Sequence, residues 1–191
     1  MAKKWTNQNL PGALHFVTGN VNKRRPIFHD PAMARALLEE CQKHRAERSC
    51  KLIAFVVMPD HFHLISDSEK KPAKVLQFVN GIVSRRVIDF LKQHGHGSSL
   101  KKLQHEEYRR GHKYSLWDHH PNVRLLTSEN MLMERVHYTH QNPVRAGLVS
   151  RAEDYIHSSV RIWNGMPLED EPLTVDVGKL RRRMGNRRLE A

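Results

Sequence analysis

Two apolar, β-prone segments separated by three residues constrain the possible fold more than any other feature of the sequence. Residues 51–57 read Lys-Leu-Ile-Ala-Phe-Val-Val and are the most apolar strand candidate, and residues 61–66 read His-Phe-His-Leu-Ile-Ser. Pro59 interrupts the run between them, because proline cannot donate to a central ladder. The break is short enough for a tight hairpin or a β-bulge, so we expect two neighbouring strands.

Further segments carry helix, strand or loop signals. Asp30 and Pro31 supply a capping residue and a first-turn proline for a helix, and Asn142 followed by Pro143 predicts the end of the last helix. Residues 98–116 are basic and lack apolar periodicity, which predicts a loop. The other predicted elements are strands at 14–18, 26–28 and 122–126 and helices at 72–93 and 127–141.

The order of these elements, β-α-β-β-α-β-α, predicts an α+β fold. The simplest packing is an antiparallel sheet with helices on one face and ferredoxin-like connectivity. We assign residues 1–165 to this domain. Residues 166–191, which include a strongly basic run at 178–189, are assigned to a C-terminal tail.

The charge balance favours a polyanionic partner. The 191 residues include 32 Lys and Arg against 20 Asp and Glu, for a net charge of +12. Cations placed on phosphates release counterions, so nucleic acid is the first candidate and a membrane surface the second. The alternative is that the charge only keeps the protein in solution.

Several features predict a soluble, intracellular protein without a membrane partner. No apolar run approaches the roughly 20 residues that a membrane span needs. The first residues, Met-Ala-Lys-Lys-Trp-Thr-Asn, lack the apolar region of a signal peptide. Cys41 and Cys50 are too few for a disulfide framework and indicate free thiols in a reducing compartment.

The pair His61 and His63 is the first candidate for a functional site. Side chains two positions apart on a strand point to the same face, so both imidazoles can bind one metal ion while Phe62 turns into the core. Two histidines leave a divalent ion with open coordination positions. The alternative is that one histidine packs in the core and the other is solvated.

A second pair lies at the end of the last predicted helix. Tyr138 and Asn142 are four residues apart and therefore share a helix face. The hydroxyl is a candidate nucleophile, and the amide oxygen is a candidate third ligand to the same ion. The alternative is a half-buried tyrosine followed by an asparagine that ends the helix.

The sequence resembles a known family at both pairs. The stretch Val-Val-Met-Pro-Asp-His-Phe-His-Leu-Ile at 56–65 resembles the His-hydrophobe-His signature of the single-tyrosine HUH transposases. The stretch Tyr-Thr-His-Gln-Asn-Pro-Val-Arg-Ala-Gly-Leu-Val at 138–149 resembles the tyrosine helix of their REP-associated branch, and residues 155–163 resemble the segment that follows it. The resemblance spans residues 13–164.

This resemblance implies a fold, a site and a reaction. The family fold is an RRM-like antiparallel sheet flanked by helices, the HUH endonuclease fold. In the family, the positions of His61 and His63 bind Mg²⁺ or Mn²⁺, that of Asn142 provides the third ligand, and that of Tyr138 is the nucleophile. The resemblance implies a transposase-like endonuclease and strand transferase of single-stranded or hairpin (REP-like) DNA that forms a 5′-phosphotyrosine intermediate.

The resemblance also carries expectations about assembly and location. The family contains dimers that exchange the tyrosine helix as well as monomers, so a homodimer is one expectation. We expect a cytoplasmic, nucleoid-associated bacterial protein. Residues 117–121 lie where relatives of the family carry a more aromatic stretch, and His119 and His120 within them are candidate competing metal ligands.

Single-stranded DNA binding requires a basic track and aromatic faces for base stacking. The stacking candidates are Tyr108, Tyr114 and Trp117. The alternative for each of these residues is a solvated or core position. The candidate cations are Lys74, Arg85, Arg86, Lys101, Lys102, Arg109, Arg110 and Arg145.

Two other functions remain open. A catalytically silent protein that binds structured DNA or RNA is the main alternative, and it would not form a covalent adduct with any divalent metal. A hydrolytic metalloenzyme, whose histidines activate water, would release a free 5′-phosphate without a protein link. A transesterase keeps the energy of the phosphodiester in the protein link.

Overall fold

The computed structural model describes residues 12–47, 50–67, 72–104, 113–118 and 122–178, and for residues 72–78 it describes the backbone alone. The strands are β1 (Leu14–Asn20), β2 (Lys51–Met58), β3 (His61–Asp67) and β4 (Asn122–Leu125). The helices are α1 (Pro31–Ala46), α2 (Pro72–Gln93), α3 (Gly97–Leu103), α4 (Glu129–Arg145) and α5 (Val160–Trp163), and short 3-10 helices lie at Asn22–Arg24, Ile27–His29 and Ala152–Asp154. No helix in this part of the chain is long and apolar enough to cross a membrane.

The strands form one antiparallel sheet in the order β2-β3-β1-β4. The expected hairpin is present, since β2 and β3 are neighbours joined by Pro59 and Asp60. The first predicted helix begins as expected, because the Asp30 carboxylate accepts from the Ala32 N–H at 2.8 Å. The predicted α+β fold with ferredoxin-like connectivity is confirmed.

One face of the sheet packs against α1 and α2. The buried cluster on this face includes Val17, Phe55 and Phe62 from the strands, with Leu37 from α1 and Val83 from α2. These five side chains are at most 2% exposed. This cluster is the larger of the two cores.

The other face packs against α4, so the expectation of helices on one face is wrong. Phe16, Ile53 and Ile65 form a second buried cluster with Leu132 and Val136 of α4. The physical reason lies in β2, which is buried at every position after its first residue. A strand that is apolar on both faces needs a cover on both faces.

The free edge of β2 is covered by the segment that follows α4. The Val57 N–H donates to the His157 carbonyl at 2.9 Å, and the Ser159 N–H donates to the Phe55 carbonyl at 3.1 Å. An uncovered strand edge exposes unpaired backbone N–H and C=O groups, which can pair with a strand of another molecule and promote aggregation. Here the segment after α4 pairs with these groups of β2. Residues 155–163, which resemble the segment after the family's tyrosine helix, therefore complete the sheet.

Packing continues past residue 165, where we placed the end of the domain. The Asp176 N–H donates to the Leu52 carbonyl at 2.7 Å, and the Asp176 carboxylate binds Arg45 at 3.0 Å. Glu171 forms a buried ion pair with Arg161 at 2.9 Å. The division at residue 165 stays a prediction, and residues 179–191 lie outside the described residues.

Two predicted local structures are wrong. Residues 26–28 are not a strand: Ile27–His29 form a 3-10 helix, and the Phe28 N–H donates to the Pro59 carbonyl at 2.8 Å. Residues 98–116 are not a continuous loop, because α3 occupies their first part and buries Leu103 against α2. The apolar residues of α3 are too few to show a helical periodicity in the sequence. Residues 105–112 lie outside the described residues.

Helix α4 does not end at Asn142, as the following proline predicted. It continues through Pro143 to Arg145, and Gly147 then adopts a left-handed conformation with φ +67°. The Leu148 N–H donates to the Pro143 carbonyl at 2.9 Å, which closes the helix in a Schellman arrangement. Pro143 is tolerated because it removes only one N–H donor, in the last turn.

We expect the substitution Gly19→Ala to destabilise the fold. A Cβ atom at Gly19 would overlap the ring of Phe62, which is fully buried between His61 and His63. Overpacking of this kind costs about 1–3 kcal/mol. Urea unfolding at equilibrium measures the loss. The matched control is Gly81→Ala on an open part of α2, where we expect a gain of up to about 1 kcal/mol; equal stability of the two variants would contradict the prediction.

Candidate active site

Polar side chains from three strands meet on the α4 face of the sheet. In the antiparallel register, His63 lies opposite Thr18, and Thr18 lies opposite Asn122 of β4. Two residues before His63 on β3, His61 lies opposite Asn20 of β1. The predicted alternation is confirmed, because Phe62 belongs to the core cluster of the other face.

Helix α4 places the tyrosine over this group. The ring of Tyr138 lies 5.4 Å from the ring of His63 and 6.0 Å from that of Phe16, in both cases edge to face. Phe16 stacks on His63 at 5.0 Å. The helix is held in place by Leu132 and Val136, which belong to the buried cluster under it. The chain thus brings the predicted tyrosine and histidines together.

These side chains border one cavity of about 340 Å³. Tyr138 forms part of one wall, and His61 and His63 form part of the sheet floor. The other lining residues are Phe16, Thr18, Asn20, Arg24, Asn122, Arg124 and Arg135. None of these described residues carries a carboxylate, so the cavity suits an anion.

A carboxylate behind the cavity orients His61. The Asp60 Oδ1 atom lies 2.6 Å from His61 Nδ1, and Asp60 Oδ2 lies 2.7 Å from Arg24 Nε. Arg24 also donates to Asn20 at 2.8 Å. Arg24 adopts a left-handed backbone with φ 53°, an uncommon conformation for a residue with a Cβ. With Nδ1 occupied, the Nε2 atom of His61 is the nitrogen left to a ligand.

His63 is oriented in the same way. Its Nδ1 atom lies 2.8 Å from Thr18 Oγ1, while its Nε2 atom is buried without a hydrogen-bond partner among the described residues. Burial, with smaller contributions from the charges of His61, Arg24 and Arg135, lowers the pKa of His63 to about 3. Burial also lowers the pKa of His61 from its ordinary value, although the Asp60 hydrogen bond opposes this change. Both rings are therefore neutral at pH 7.

Asn142 interacts with both partners of the predicted site. Its side chain acts to raise the pKa of His61, although burial lowers that pKa more. Its amide nitrogen donates to the Tyr138 carbonyl at 2.7 Å. Within the described residues, no three His, Cys, Asp or Glu side chains form a metal cluster, so a third protein ligand there would have to be of another type. His119 and His120, the candidate competing ligands, lie outside the described residues.

Comparison with known proteins identifies the family of this chain. The sequence matches the family model of IS200-like transposases over residues 12–121, which is more than half of the chain. This chain belongs to the IS200-like transposase family. The matched range contains His61 and His63 and ends before Tyr138. No curated protein matches the sequence closely enough to count as a relative.

Solved structures extend the likeness of this transposase to nearly the whole chain. A REP-associated tyrosine transposase bound to a REP hairpin is similar over 92% of this chain and 93% of that one, with a TM-score of 0.59 and 17% identity. At this identity the likeness shows the fold. A proposed transposase of Deinococcus radiodurans covers 71% of this chain and 95% of its own, with a TM-score of 0.43 and 19% identity.

Among the predicted DNA-binding cations of the transposase, those whose side chains the structure describes do not line the cavity. The Arg145 guanidinium lies 5.4 Å from the centre of the Tyr138 ring, outside the lining. Arg86 pairs with Glu39 on α1 at 2.6 Å. Arg85, Lys101 and Lys102 are exposed elsewhere on α2 and α3. The side chain of Lys74 and all of Arg109, Arg110 and Tyr108 lie outside the described part of the chain.

The two aromatic candidates within the described residues, Tyr114 and Trp117, also lie away from the cavity. The Trp117 ring packs on Phe62 at 5.5 Å and on Phe28 at 5.6 Å, and its indole N–H donates to the Asn80 carbonyl. Trp117 is therefore part of the core cluster opposite the site. Tyr114 packs at the margin of that same cluster.

Sequence reasoning missed most of the cavity lining. Arg135 had a usable signal, because it precedes Tyr138 by three residues and such residues share a helix face. Asn122 and Arg124 are two residues apart on a predicted strand and therefore share a face. Only the pairing of β4 with β1 places that face at the cavity. No local signal points to Arg24.

We expect the buried, neutral His63 to make the metal-free protein less stable in acid. The pKa of His63 is about 3 in the folded protein and 6.5 ordinarily, so between these two pH values the His63 ring is protonated in the unfolded chain only. The free energy of unfolding should therefore fall as the pH drops below 6.5, by at most about 1.4 kcal/mol per pH unit for this group.

Urea unfolding between pH 7 and pH 4 in EDTA measures this dependence. His63→Gln should reduce the slope, whereas the exposed control His29→Gln should keep the wild-type slope. The part that remains in His63→Gln comes from other buried histidines with lowered pKa values, such as His140. An unchanged slope in His63→Gln would show that His63 titrates equally in the folded and unfolded states.

Proposed function

We propose that this transposase is a metal-dependent endonuclease and strand transferase of single-stranded DNA that acts through a 5′-phosphotyrosine intermediate. One observation carries the proposal. The Tyr138 ring lies 5.4 Å from the His63 ring, and both border one cavity without lining carboxylates. A phenol, two neutral imidazoles and a cationic wall suit attack on a phosphodiester.

The residues present fit a divalent metal. His63 Nε2 is buried without a partner, and His61 Nδ1 and His63 Nδ1 are held by Asp60 and Thr18. In metal-binding histidines, the ring nitrogen that does not bind the metal is typically hydrogen-bonded, because this bond fixes the orientation and the tautomer of the ring. In the proposal, His61, His63 and Asn142 hold Mg²⁺ or Mn²⁺. When bound, such an ion supplies Lewis acidity toward a phosphate oxygen.

The chain's own residues then account for the reaction. The Tyr138 hydroxyl oxygen attacks the phosphorus, so an O–P bond to tyrosine forms as the bond from phosphorus to the 3′-oxygen breaks. The phenolic proton leaves to solvent, and the released 3′-oxygen takes up a proton. Attack by a 3′-hydroxyl of another strand reverses these steps and joins that strand to the 5′-phosphate.

Hairpin DNA is the substrate that we propose. The solved structure with the same fold is bound to a REP hairpin, and the motif at 138–149 resembles the REP-associated branch. A net charge of +12 favours a nucleic acid partner. We therefore place this chain in the REP-associated branch, with a hairpin flanked by a single strand as its target.

We expect Tyr138→Phe to abolish formation of a covalent protein–DNA adduct. The substitution removes the attacking oxygen and keeps the ring that packs on Phe16 and His63. Wild type and variant are incubated with Mn²⁺ and hairpin oligonucleotides that carry a label on either side of the cut. Denaturing gels then show whether protein is linked to the 5′-phosphate side.

The controls separate the three candidate functions. Tyr155→Phe is the matched control, because its hydroxyl donates to the Val57 carbonyl at the covered sheet edge, away from the cavity. An adduct in Tyr138→Phe would assign the nucleophile elsewhere. Tight hairpin binding by wild type without adduct in any divalent metal would favour a silent DNA- or RNA-binding protein. Cleavage with a free 5′-phosphate would favour a hydrolase.

We also expect catalysis within a single chain. Helix α4 and strand β3 of the same chain supply Tyr138 and His63. A mixture of Tyr138→Phe with the double variant His61→Ala/His63→Ala should therefore form no adduct, even after the two are unfolded and refolded together. Recovery of about a quarter of the wild-type adduct would show instead that a homodimer exchanges the tyrosine helix, as domain-swapped dimers do.

A further inference from the structure

Arg135 occupies a particular position among the cations of the cavity. It lies one turn before Tyr138 on α4 and lines the cavity. Its guanidinium carbon lies 5.6 Å from the centre of the Tyr138 ring and 5.6 Å from that of Phe16. Since Phe16 stacks on His63 at 5.0 Å, the charge of Arg135 is held beside both the tyrosine and the histidine.

Arg24, another arginine of the cavity, is engaged differently. The Asp60 carboxylate neutralises it at 2.7 Å, and the Asn20 side chain accepts from it at 2.8 Å. The carboxylate that the structure places near Arg135 is Glu134, at 3.4 Å, and this side chain is 68% exposed. Exposed pairs of this type contribute little, so an anion can replace Glu134 at small cost.

The chemistry of the guanidinium fits a phosphate at this place. Its planar set of N–H donors can bind two phosphate oxygens at once, which an ammonium group cannot do with the same geometry. Two aromatic rings restrict its motion, so less entropy is lost on binding. A phosphate held by Arg135 would lie beside the Tyr138 ring, where the proposed attack takes place.

We propose that Arg135 is a catalytic residue that binds the non-bridging oxygens of the phosphate attacked by Tyr138. This inference rests on the proposed function, because it names a group that touches the substrate of the same site. In the ground state the contact contributes to DNA affinity. In the transition state, where negative charge collects on these oxygens, it contributes more.

The test compares Arg135→Met and Arg135→Lys with the control Arg151→Met. Methionine keeps an unbranched chain between the rings without the charge, and lysine keeps the charge without the planar donor set. Arg151 is an exposed arginine that does not line the cavity. Circular dichroism confirms that each variant is folded.

The first measurement is independent of turnover. Affinity for a fluorescent hairpin oligonucleotide is measured against salt concentration in the Tyr138→Phe background. Loss of one phosphate contact should reduce the slope of log K against log salt by about 0.7 in Arg135→Met, while Arg135→Lys and Arg151→Met keep the slope. An unchanged slope in Arg135→Met would overturn the proposal.

The second measurement is the rate of adduct formation in a single turnover, with Tyr138 present. We expect Arg135→Met to be slower by roughly 10²–10³-fold, Arg135→Lys to lie between it and wild type, and Arg151→Met to match wild type. A rate for Arg135→Met within twofold of wild type would overturn the catalytic role. Absence of adduct in wild type would instead refute the proposed function, while the salt slope still tests the phosphate contact.

Discussion

Burial of the β2–β3 hairpin on both faces is the constraint on which the rest of the structure depends. After its first residue, every position of β2 is buried, so the hairpin is stable only with a cover on each face and along its free edge. Helices α1 and α2 provide one cover, α4 provides the other, and the segment after α4 closes the edge. The same packing sets α4 over the polar end of β3, so the geometry of the site follows from the demands of the core.

A single helix or strand contributes residues both to the core and to the cavity. Along α4, the buried residues Leu132 and Val136 give way to Tyr138, which lines the cavity. Along β3, Ile65 packs under α4, while His63 on the same face borders the cavity. The cavity thus borders the second buried cluster directly. Apart from Arg24, its lining residues lie on strands or on α4, and such rigid elements favour the exact placement of reacting groups.

The sequence predicted those features that depend on local periodicity. The side-chain alternation of a strand placed His61 and His63 on one face, and the fold class followed from the element order. Features that depend on distant pairing could not be predicted. Arg124 reaches the cavity because β4 pairs with β1, and Arg24 reaches it through a left-handed turn held against the hairpin. The proline rule failed at Pro143, because a helix tolerates the loss of one donor in its last turn.

The electrostatics of the cavity connect these observations. Within the described residues, the carboxylate closest to the histidines is that of Asp60, and it is engaged by His61 and Arg24 behind the lining. The field that a ligand meets is therefore set by guanidinium groups and neutral imidazoles, which attract a phosphodiester and present no lining carboxylate to act as a general base for water. Under the proposed function, this arrangement suits a nucleophile that is built into the chain, because Tyr138 reaches the phosphate without the help of such a base. The positive wall then stabilises the charge that its attack creates.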